Sequence, residues 1–410
     1  QFSQNAPLIS LRHYREGQDY TEAVFNWFEG QNEGAVLLND WEHMTPLWYA
    51  QFVDGRWPNP NNIHPEFIST GGANPWLEGI FNFLPGGPVY LSQFRPQAIA
   101  GTEFRLRPVG PFYQVVEPGD ETLPPGVTAV TTTAGNIRIV GYELPQTAVT
   151  AGDFVPLTLA MSTPEGTTDF YVPVLTVGTG EKALVYEFTT DSHLTTPNWW
   201  PDEVIAERFD FALPYNLATG AYPVTVNLKN LSQDEILPLD LQVGTLQVSA
   251  QDTPPETDHL LANFRQRVGL VGAKANGRAA PWPTENPLTA QPGEIINLIL
   301  EWESLAAAEE SYTIFVHLID GANVPHVALD YTPLGGATPT HLWIPKWLPG
   351  QQMLDPYRLT IPEDLPPGVY FIEVGLYEMV GGRRLHISDT HGNLNGDRYI
   401  LGPVIVAGSN

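Results

Sequence analysis

From about residue 120 onward this chain states one pattern twice, and such internal repetition limits the possible folds more tightly than any local propensity does. Ile139-Val140-Gly141-Tyr142 is answered by Leu270-Val271-Gly272-Ala273, and Thr150-Ala151-Gly152-Asp153 by Gln291-Pro292-Gly293-Glu294. The run from Tyr171 is answered by the run from Tyr312. Leu213-Pro214, followed by Leu217-Ala218-Thr219-Gly220-Ala221-Tyr222, meets Ile361-Pro362 followed by Leu365-Pro366-Pro367-Gly368-Val369-Tyr370. The separation between partners only grows, as it does when a second copy carries loop insertions. Two related modules are therefore expected.

The runs Phe154 to Leu159, Tyr171 to Val177, Leu184 to Phe188, Arg208 to Leu213 and Tyr222 to Leu228 are strand-like and punctuated by turn residues, which predicts an antiparallel sandwich. Ile295 to Trp302, Tyr312 to Leu318, Tyr357 to Ile361, Val369 to Tyr377 and Tyr399 to Val406 repeat the prediction. A stiff polar stretch from Gln251 to Thr257 reads as the linker between the copies. The 39 prolines, near twice the usual share of roughly 5%, serve turns and strand ends.

Before about Glu117-Pro118-Gly119-Asp120 the character differs. Asp19 with Glu22 reads as a capping box, and Thr45-Pro46 and Asn74-Pro75 each read as an N-cap with proline at the first helical position. Ala35-Val36-Leu37-Leu38 and Val89-Tyr90-Leu91 read as short strands, with a closing hairpin across Pro108-Val109-Gly110-Pro111. The expected fold is thus multidomain α/β plus all-β. A small Rossmann-like α/β domain over residues 1–120 precedes two tandem antiparallel β-sandwich (Ig-like) modules over 121–250 and 251–410.

Composition narrows function more by exclusion. Across 410 residues, 46 acids against 19 bases leave a net charge of −27, which repels phosphate backbones and anionic lipid, so no nucleic-acid partner is expected. With no cysteine there is neither a disulfide framework nor a thiol nucleophile. No apolar run approaches the roughly 18 residues of a membrane span, and no leader pattern opens the chain. The stretch is expected to be soluble, with any membrane or signal portion upstream of Gln1.

Three groups of residues are candidates for binding. Asp40, Trp41 and Glu42 follow a predicted strand, at the carboxyl edge where α/β sheets bind ligands, and two carboxylates beside an indole suit a sugar or a metal ion. The alternative is a solvated turn with one helix-capping acid. Trp199-Trp200 and Trp343 with Trp347 fall at similar points of the two modules and can stack on sugar rings, with core packing as the alternative. Asp389, Asn393, Asn395 and Asp397 form an oxygen-rich loop that fits Ca2+ only in part, lacking the terminal bidentate acid; an Asn-Gly hairpin turn is the alternative. His317 and Asp320, at odd spacing on one strand, face opposite ways and do not share a proton relay. The Gly178-Thr179-Gly180 run lies among hairpins and reads as a turn, and no nucleophile elbow, zinc-protease helix or Walker loop occurs.

Two stretches resemble known proteins. Ala35 to Glu42, with Pro46-Leu47-Trp48-Tyr49-Ala50-Gln51 and Gly55-Arg56, resembles the soluble part that follows the membrane domain in bacterial protein O-mannosyltransferase-like (GT-C class) proteins. Here Arg56 is followed by Trp57-Pro58 rather than directly by proline and aspartate. The second stretch comprises Phe315 to Asp320, Asp330-Tyr331-Thr332-Pro333, Trp347-Leu348-Pro349-Gly350, Asp355-Pro356-Tyr357, Pro367-Gly368-Val369-Tyr370 and Val374-Gly375-Leu376-Tyr377. It is similar to a β-sandwich module at the C-terminus of membrane glycosyltransferases in filamentous green bacteria; residues 121–250 lack its His-Leu-Ile-Asp and Gly-Leu-Tyr steps. The resemblance implies an extracytoplasmic, non-catalytic region that positions or binds an acceptor glycan or glycoprotein, its own membrane domain lying upstream. No catalytic residue carries over, because that class holds its catalytic carboxylate between membrane helices. The competing expectation is a freestanding secreted or surface β-sandwich protein for adhesion or assembly. A self-contained carbohydrate-active enzyme needs two carboxylates about 5–9.5 Å apart, and no such constellation is legible.

Overall fold

The computed structural model describes residues 15–30, 34–56, 63–69, 74–180, 183–188, 194–214, 217–251, 256–305, 312–331, 333, 352–378, 382, 384–389 and 395–408. It is a mostly β protein. Among the described residues its α-helices lie in the N-terminal part, where α1 (Glu16–Phe28), α2 (Trp41–Phe52) and α3 (Pro75–Phe83) alternate with β1 (Val36–Asn39), β2 (His64–Phe67) and β3 (Val89–Leu91), and the hairpin β4 (Arg105–Val109) and β5 (Phe112–Val116) follows. The sheet order is β2-β1-β3-β5-β4; β1 pairs in parallel with β2 and β3, and the hairpin adds antiparallel. Val24, Phe28, Met44 and Leu47 pack with Leu37 and Tyr90 on one face, while Trp76 and Ile80 pack with Val36, Leu38, Val89 and Leu91 on the other. Covered on both faces, β1 is apolar at consecutive positions rather than alternating.

Two helix starts differ from expectation. α1 begins at Glu16 without a side-chain cap, and the Asp19 N–H already donates to Arg15 O, so Asp19 is a helical residue and not the N-cap. α2 begins at Trp41, four residues before Thr45, because Asp40 caps it through the His43 N–H at 3.1 Å. Pro46 therefore lies inside the helix and Thr45 donates its hydroxyl to Trp41 O at 2.7 Å. Only α3 starts as expected, with Asn74 accepting from the Leu77 N–H and Pro75 first in the helix.

Among its described residues the next part has one short 3-10 helix, Thr196–Asn198, and the strands β6 (Thr128–Ala134), β7 (Ile137–Glu143), β8 (Ala148–Thr150), β9 (Phe154–Ser162), β10 (Tyr171–Val177), β11 (Leu184–Glu187), β12 (Ile205–Ala212), β13 (Gly220–Asn230) and β14 (Glu235–Ser249). The strands form sheets of order β12-β9-β7-β6 and β11-β10-β13-β14-β8, with β8 parallel to β14. Side chains from both sheets, among them Ile139, Leu157 and Phe211 facing Leu175, Val226 and Leu246, close one shared core. Burying each such side chain contributes roughly 1.5–3 kcal/mol.

The last part holds β15 (Ala262–Phe264), β16 (Val268–Ala275), β17 (Arg278–Ala279), β18 (Leu288–Ala290), β19 (Ile295–Ser304), β20 (Tyr312–Ile319), β21 (Pro325–Tyr331), β22 (Gln352–Thr360), β23 (Gly368–Glu378) and β24 (Tyr399–Val406). Its sheets run β15-β16-β19-β22 and β18-β24-β23-β20-β21, with β18 parallel to β24 and another two-sheet core between them. Read from the opposite edges, these orders match those of the preceding part strand for strand, β17 apart. β7 carries a bulge between Ile139 and Gly141, and β16 carries one between Leu270 and Gly272. Asp153 accepts from the Thr150 N–H at 2.7 Å across a turn with Gly152 at φ 91, and Glu294 accepts from the Gln291 N–H at 2.9 Å across Gly293 at φ 80. Only glycine adopts such a φ without strain. The Tyr222 hydroxyl donates to Ala218 O at 2.9 Å, as Tyr370 does to Pro366 O at 2.8 Å.

Polar clasps join the three parts. Arg105 on β4 meets Glu203, and Arg208 on β12 donates to Gly110 O in the β4–β5 turn. Further along, Arg265 donates to Asp210 O at 2.8 Å and the Arg267 guanidinium lies 3.5 Å from the Phe154 ring centroid.

Candidate functional site

Strands β1 and β3 run in parallel and end side by side, so the residues just past them converge: Asn39 and Asp40 after β1, Ser92, Gln93 and Arg95 after β3. Asp40 is the hub. Its Oδ1 accepts from His43 Nδ1–H at 2.6 Å and from the His43 backbone; its Oδ2 accepts from Gln93 Nε2 at 2.6 Å and Arg95 Nη2 at 3.4 Å. Burial pulls the carboxyl upward, but the bonds and charge of His43 and the charge of Arg95 outweigh it and hold Asp40 below the usual carboxylate range. At Arg95 burial prevails instead and lowers the guanidinium, with Asp40 offsetting part of the effect.

A carboxylate only accepts, so His43 carries a proton on Nδ1, and in the neutral form of the ring Nε2 is then an acceptor. Among the described residues nothing bonds to Nε2. The His43 ring stands edge-on to Tyr20 with centroids 4.5 Å apart, and the Tyr20 hydroxyl bonds Asn39 Oδ1. Burial, and then the nearby Asp40 charge, push the Tyr20 phenol well above its ordinary value. Arg95 lies 4.1 Å from the Trp76 ring centroid, and the buried Ser92 hydroxyl has no partner among the described residues. The arrangement is an Asp-oriented imidazole among planar hydrogen-bonding groups.

Of the expected trio, only Asp40 enters this cluster. Trp41 turns toward β2, its ring 5.9 Å from Trp48 and 5.6 Å from Phe67, and stays 62% exposed. Glu42 is exposed in the first turn of α2, where the helix dipole favours an acid. His43, Gln93 and Arg95 went unnoticed in the sequence. The one available signal was His43, three residues past a capping acid.

The other candidates separate as well. Trp199 is 5% exposed and donates its indole N–H to Leu194 O at 3.0 Å, so it packs in the core and offers no stacking face; Trp200 is 46% exposed beside it. Trp343, Trp347 and Asn393 lie outside the described residues. Asp397 pairs with Arg384 at 3.5 Å, while the Asn395 N–H donates to Ile387 O and the Ile387 N–H to Gly396 O, a hairpin-like closure. Asp389 lies near enough to the buried Tyr186 phenol to help raise it, after burial itself. Among the described residues no group of three or more His, Asp or Glu side chains is placed to hold a metal ion.

His317 and Asp320 do belong to separate networks. His317 bonds Glu373 at 3.0 Å and Asp330 at 3.3 Å across adjacent strands, whereas Asp320 holds His326 at 3.1 Å. Burial pulls Glu373 upward, but hydrogen bonds from His317 and Arg398 win and keep it low.

No protein-family model matches the chain, and no curated protein matches it. Among solved structures it is similar to the crystal structure of the C-terminal domain of wzt, at 16% identity over 31% of this chain and 83% of that one, with a TM-score of 0.23. Among the described residues no helix is long and apolar enough to cross a membrane.

Proposed function

We propose that this chain is the extracytoplasmic, non-catalytic part of a membrane glycosyltransferase-like protein, and that it binds or positions an acceptor glycan at the carboxyl edge of its α/β unit. In this reading the α/β unit is Rossmann-like and the two sandwiches are tandem Ig-like modules, a description favoured by the repeated strand order, the repeated bulge and the two hydroxyl-bonded tyrosines. The observation that carries the binding site is His43, aligned by Asp40 with its Nε2 left open beside Gln93 and Arg95. Those groups hydrogen-bond hydroxyls from several directions. Asp40 and Arg95 offset one another in charge, and the net −27 of the chain disfavours anions, so a neutral ligand fits best.

Isothermal titration of the chain with a panel of neutral oligosaccharides tests the reading. Binding that His43→Ala weakens by tenfold or more, with folding intact, supports it. A panel that yields no binding, or binding indifferent to His43→Ala, refutes the site. Fractionation of native cells tests the context: a membrane-bound parent well above the 45.2 kDa of this chain is expected, and a soluble species of that mass counts against it.

A further inference from the structure

Helix α2 is apolar on both sides. Met44, Leu47 and Ala50 are buried, as one face of a surface helix should be, yet the other face carries Trp41, Tyr49 and Phe52 at 62%, 58% and 74% exposure. With 3.6 residues per turn, positions 41, 45, 49 and 52 share that outer face, and Trp41, Thr45, Tyr49 and Phe52 put no charge on it. Large apolar side chains grouped in this way on a surface mark a binding face. The stripe starts at the carboxyl edge of the sheet: Trp41 follows Asp40 directly, and its ring lies 5.6 Å from that of Phe67, which pairs with Asn39 at the end of β2. From there it runs about 16 Å along the helix at 1.5 Å per residue, a length that one sugar ring does not fill.

We propose that this stripe is a stacking track for a neutral oligosaccharide whose end occupies the carboxyl-edge site, with the rings of Trp41, Tyr49 and Phe52 lying against the apolar faces of its sugars. The proposal rests on the carboxyl edge being a glycan site and adds that the ligand is a chain rather than a single sugar. An aromatic face receives the C–H face of a sugar without any charge, which suits an uncharged stripe on a chain of net charge −27. Trp41 is oriented in advance, edge-on to Trp48 at 5.9 Å as well as to Phe67, so little freedom is lost when a ligand stacks on it. A lipid surface is the other partner for exposed aromatic side chains, but a helix that lies on one carries lysine or arginine on its polar face. The ionisable side chains of α2 are Glu42 and His43 alone.

The test is isothermal titration of the whole chain with gluco-, manno- and galacto-oligosaccharides from the monosaccharide to the pentasaccharide. In at least one series the pentasaccharide is expected to bind about tenfold or more tighter than the monosaccharide. Tyr49→Ala and Phe52→Ala are each expected to weaken the pentasaccharide about fivefold and to leave the monosaccharide and the helical circular dichroism unchanged. Tyr49→Leu keeps apolar bulk without the ring and is expected to lose as much, which separates stacking from general apolar contact. His43→Ala is expected to weaken every length alike. Binding that depends on His43 but not on length, Tyr49 or Phe52 overturns the track and leaves the carboxyl-edge site standing. Length-dependent binding that Tyr49→Ala weakens and His43→Ala does not supports the track and refutes the carboxyl-edge site. Absence of glycan binding overturns both, and binding to phosphatidylcholine vesicles that Tyr49→Ala abolishes would then assign the stripe to a lipid surface.

Discussion

Arg105 and Glu203 meet as a two-pronged ion pair between the α/β unit and the first sandwich, Nε to Oε1 at 2.9 Å and Nη2 to Oε2 at 3.3 Å, with side chains 9% and 1% exposed. Glu203 also accepts from the Trp200 N–H at 3.0 Å, and Arg105 donates to Glu103 O at 2.7 Å, so the charges are embedded in further hydrogen bonds. A pair this buried adds little net stability over an apolar substitute, yet losing one partner strands the other. Glu203→Gln is expected to cost about 3–5 kcal/mol at this interface. Hydrogen exchange at β4 and β12 measures it, and protection unchanged by the substitution would show that the clasp is idle.

Glu207 gives the first sandwich a pH-dependent stability. Its folded carboxyl sits at about 8 against an ordinary 4.5, so the folded state holds a proton that the unfolded chain releases. Stability is therefore full below about pH 4.5, falls as pH rises toward 8 and levels off above it, with a slope of up to about 1.4 kcal/mol per pH unit. Glu207→Gln is expected to flatten that slope in denaturant titrations run from pH 5 to 9. A parallel slope in the variant places the titrating group elsewhere.

The paired bulges make opposite demands on their glycines. A Cβ at Gly141 meets Val127 Cγ1 at 2.4 Å and Thr128 O at 3.1 Å, whereas one at Gly272 meets only the Glu301 side chain, nearest at 3.0 Å. Glu301 is a flexible surface acid already paired with Lys274 and can swing aside. Gly141→Ala is expected to lower stability by about 1–3 kcal/mol and Gly272→Ala by under about 0.5 kcal/mol. Thermal melts of the two variants decide it, and equal losses would mean that the bulges, not their neighbours, set the cost.

Much of the β topology was legible because turn chemistry is local. Gly152 with Asp153 and Gly293 with Glu294 close the same turn by a bond between residues three apart, so the sequence displays both the residues and their spacing. Helix starts were less legible, because Thr45-Pro46 and Asp40 both look like caps and only backbone bonding chooses between them. The candidate site was half legible. Asp40 stands out beside an apolar strand, but Gln93 and Arg95 reach it only through the parallel pairing of β1 with β3, and no local pattern encodes that register. Trp199 and Trp200 look alike in the chain yet divide between core and surface, a choice set by the packing of β12 and the buried Glu203.

Asp40 joins two roles that can be taken apart. As N-cap it accepts the His43 backbone N–H, and as orienter it holds the His43 ring, Gln93 and Arg95. Its folded carboxyl lies below the ordinary 3.8, so its contribution to stability is present above about pH 3.8 and is lost as pH falls through the lower folded value. Asp40→Asn keeps a capping oxygen but removes the charge, and is expected to cost little in helix content while abolishing this acid-side loss. Asp40→Ala removes both roles and is expected to cost about 1 kcal/mol from the cap alone, with more from the stranded Arg95. Acid titrations followed by circular dichroism compare the three chains. If Asp40→Asn unfolds along the same acid curve as the unaltered chain, the charge at Asp40 contributes nothing, and His43 is held by geometry without electrostatic help.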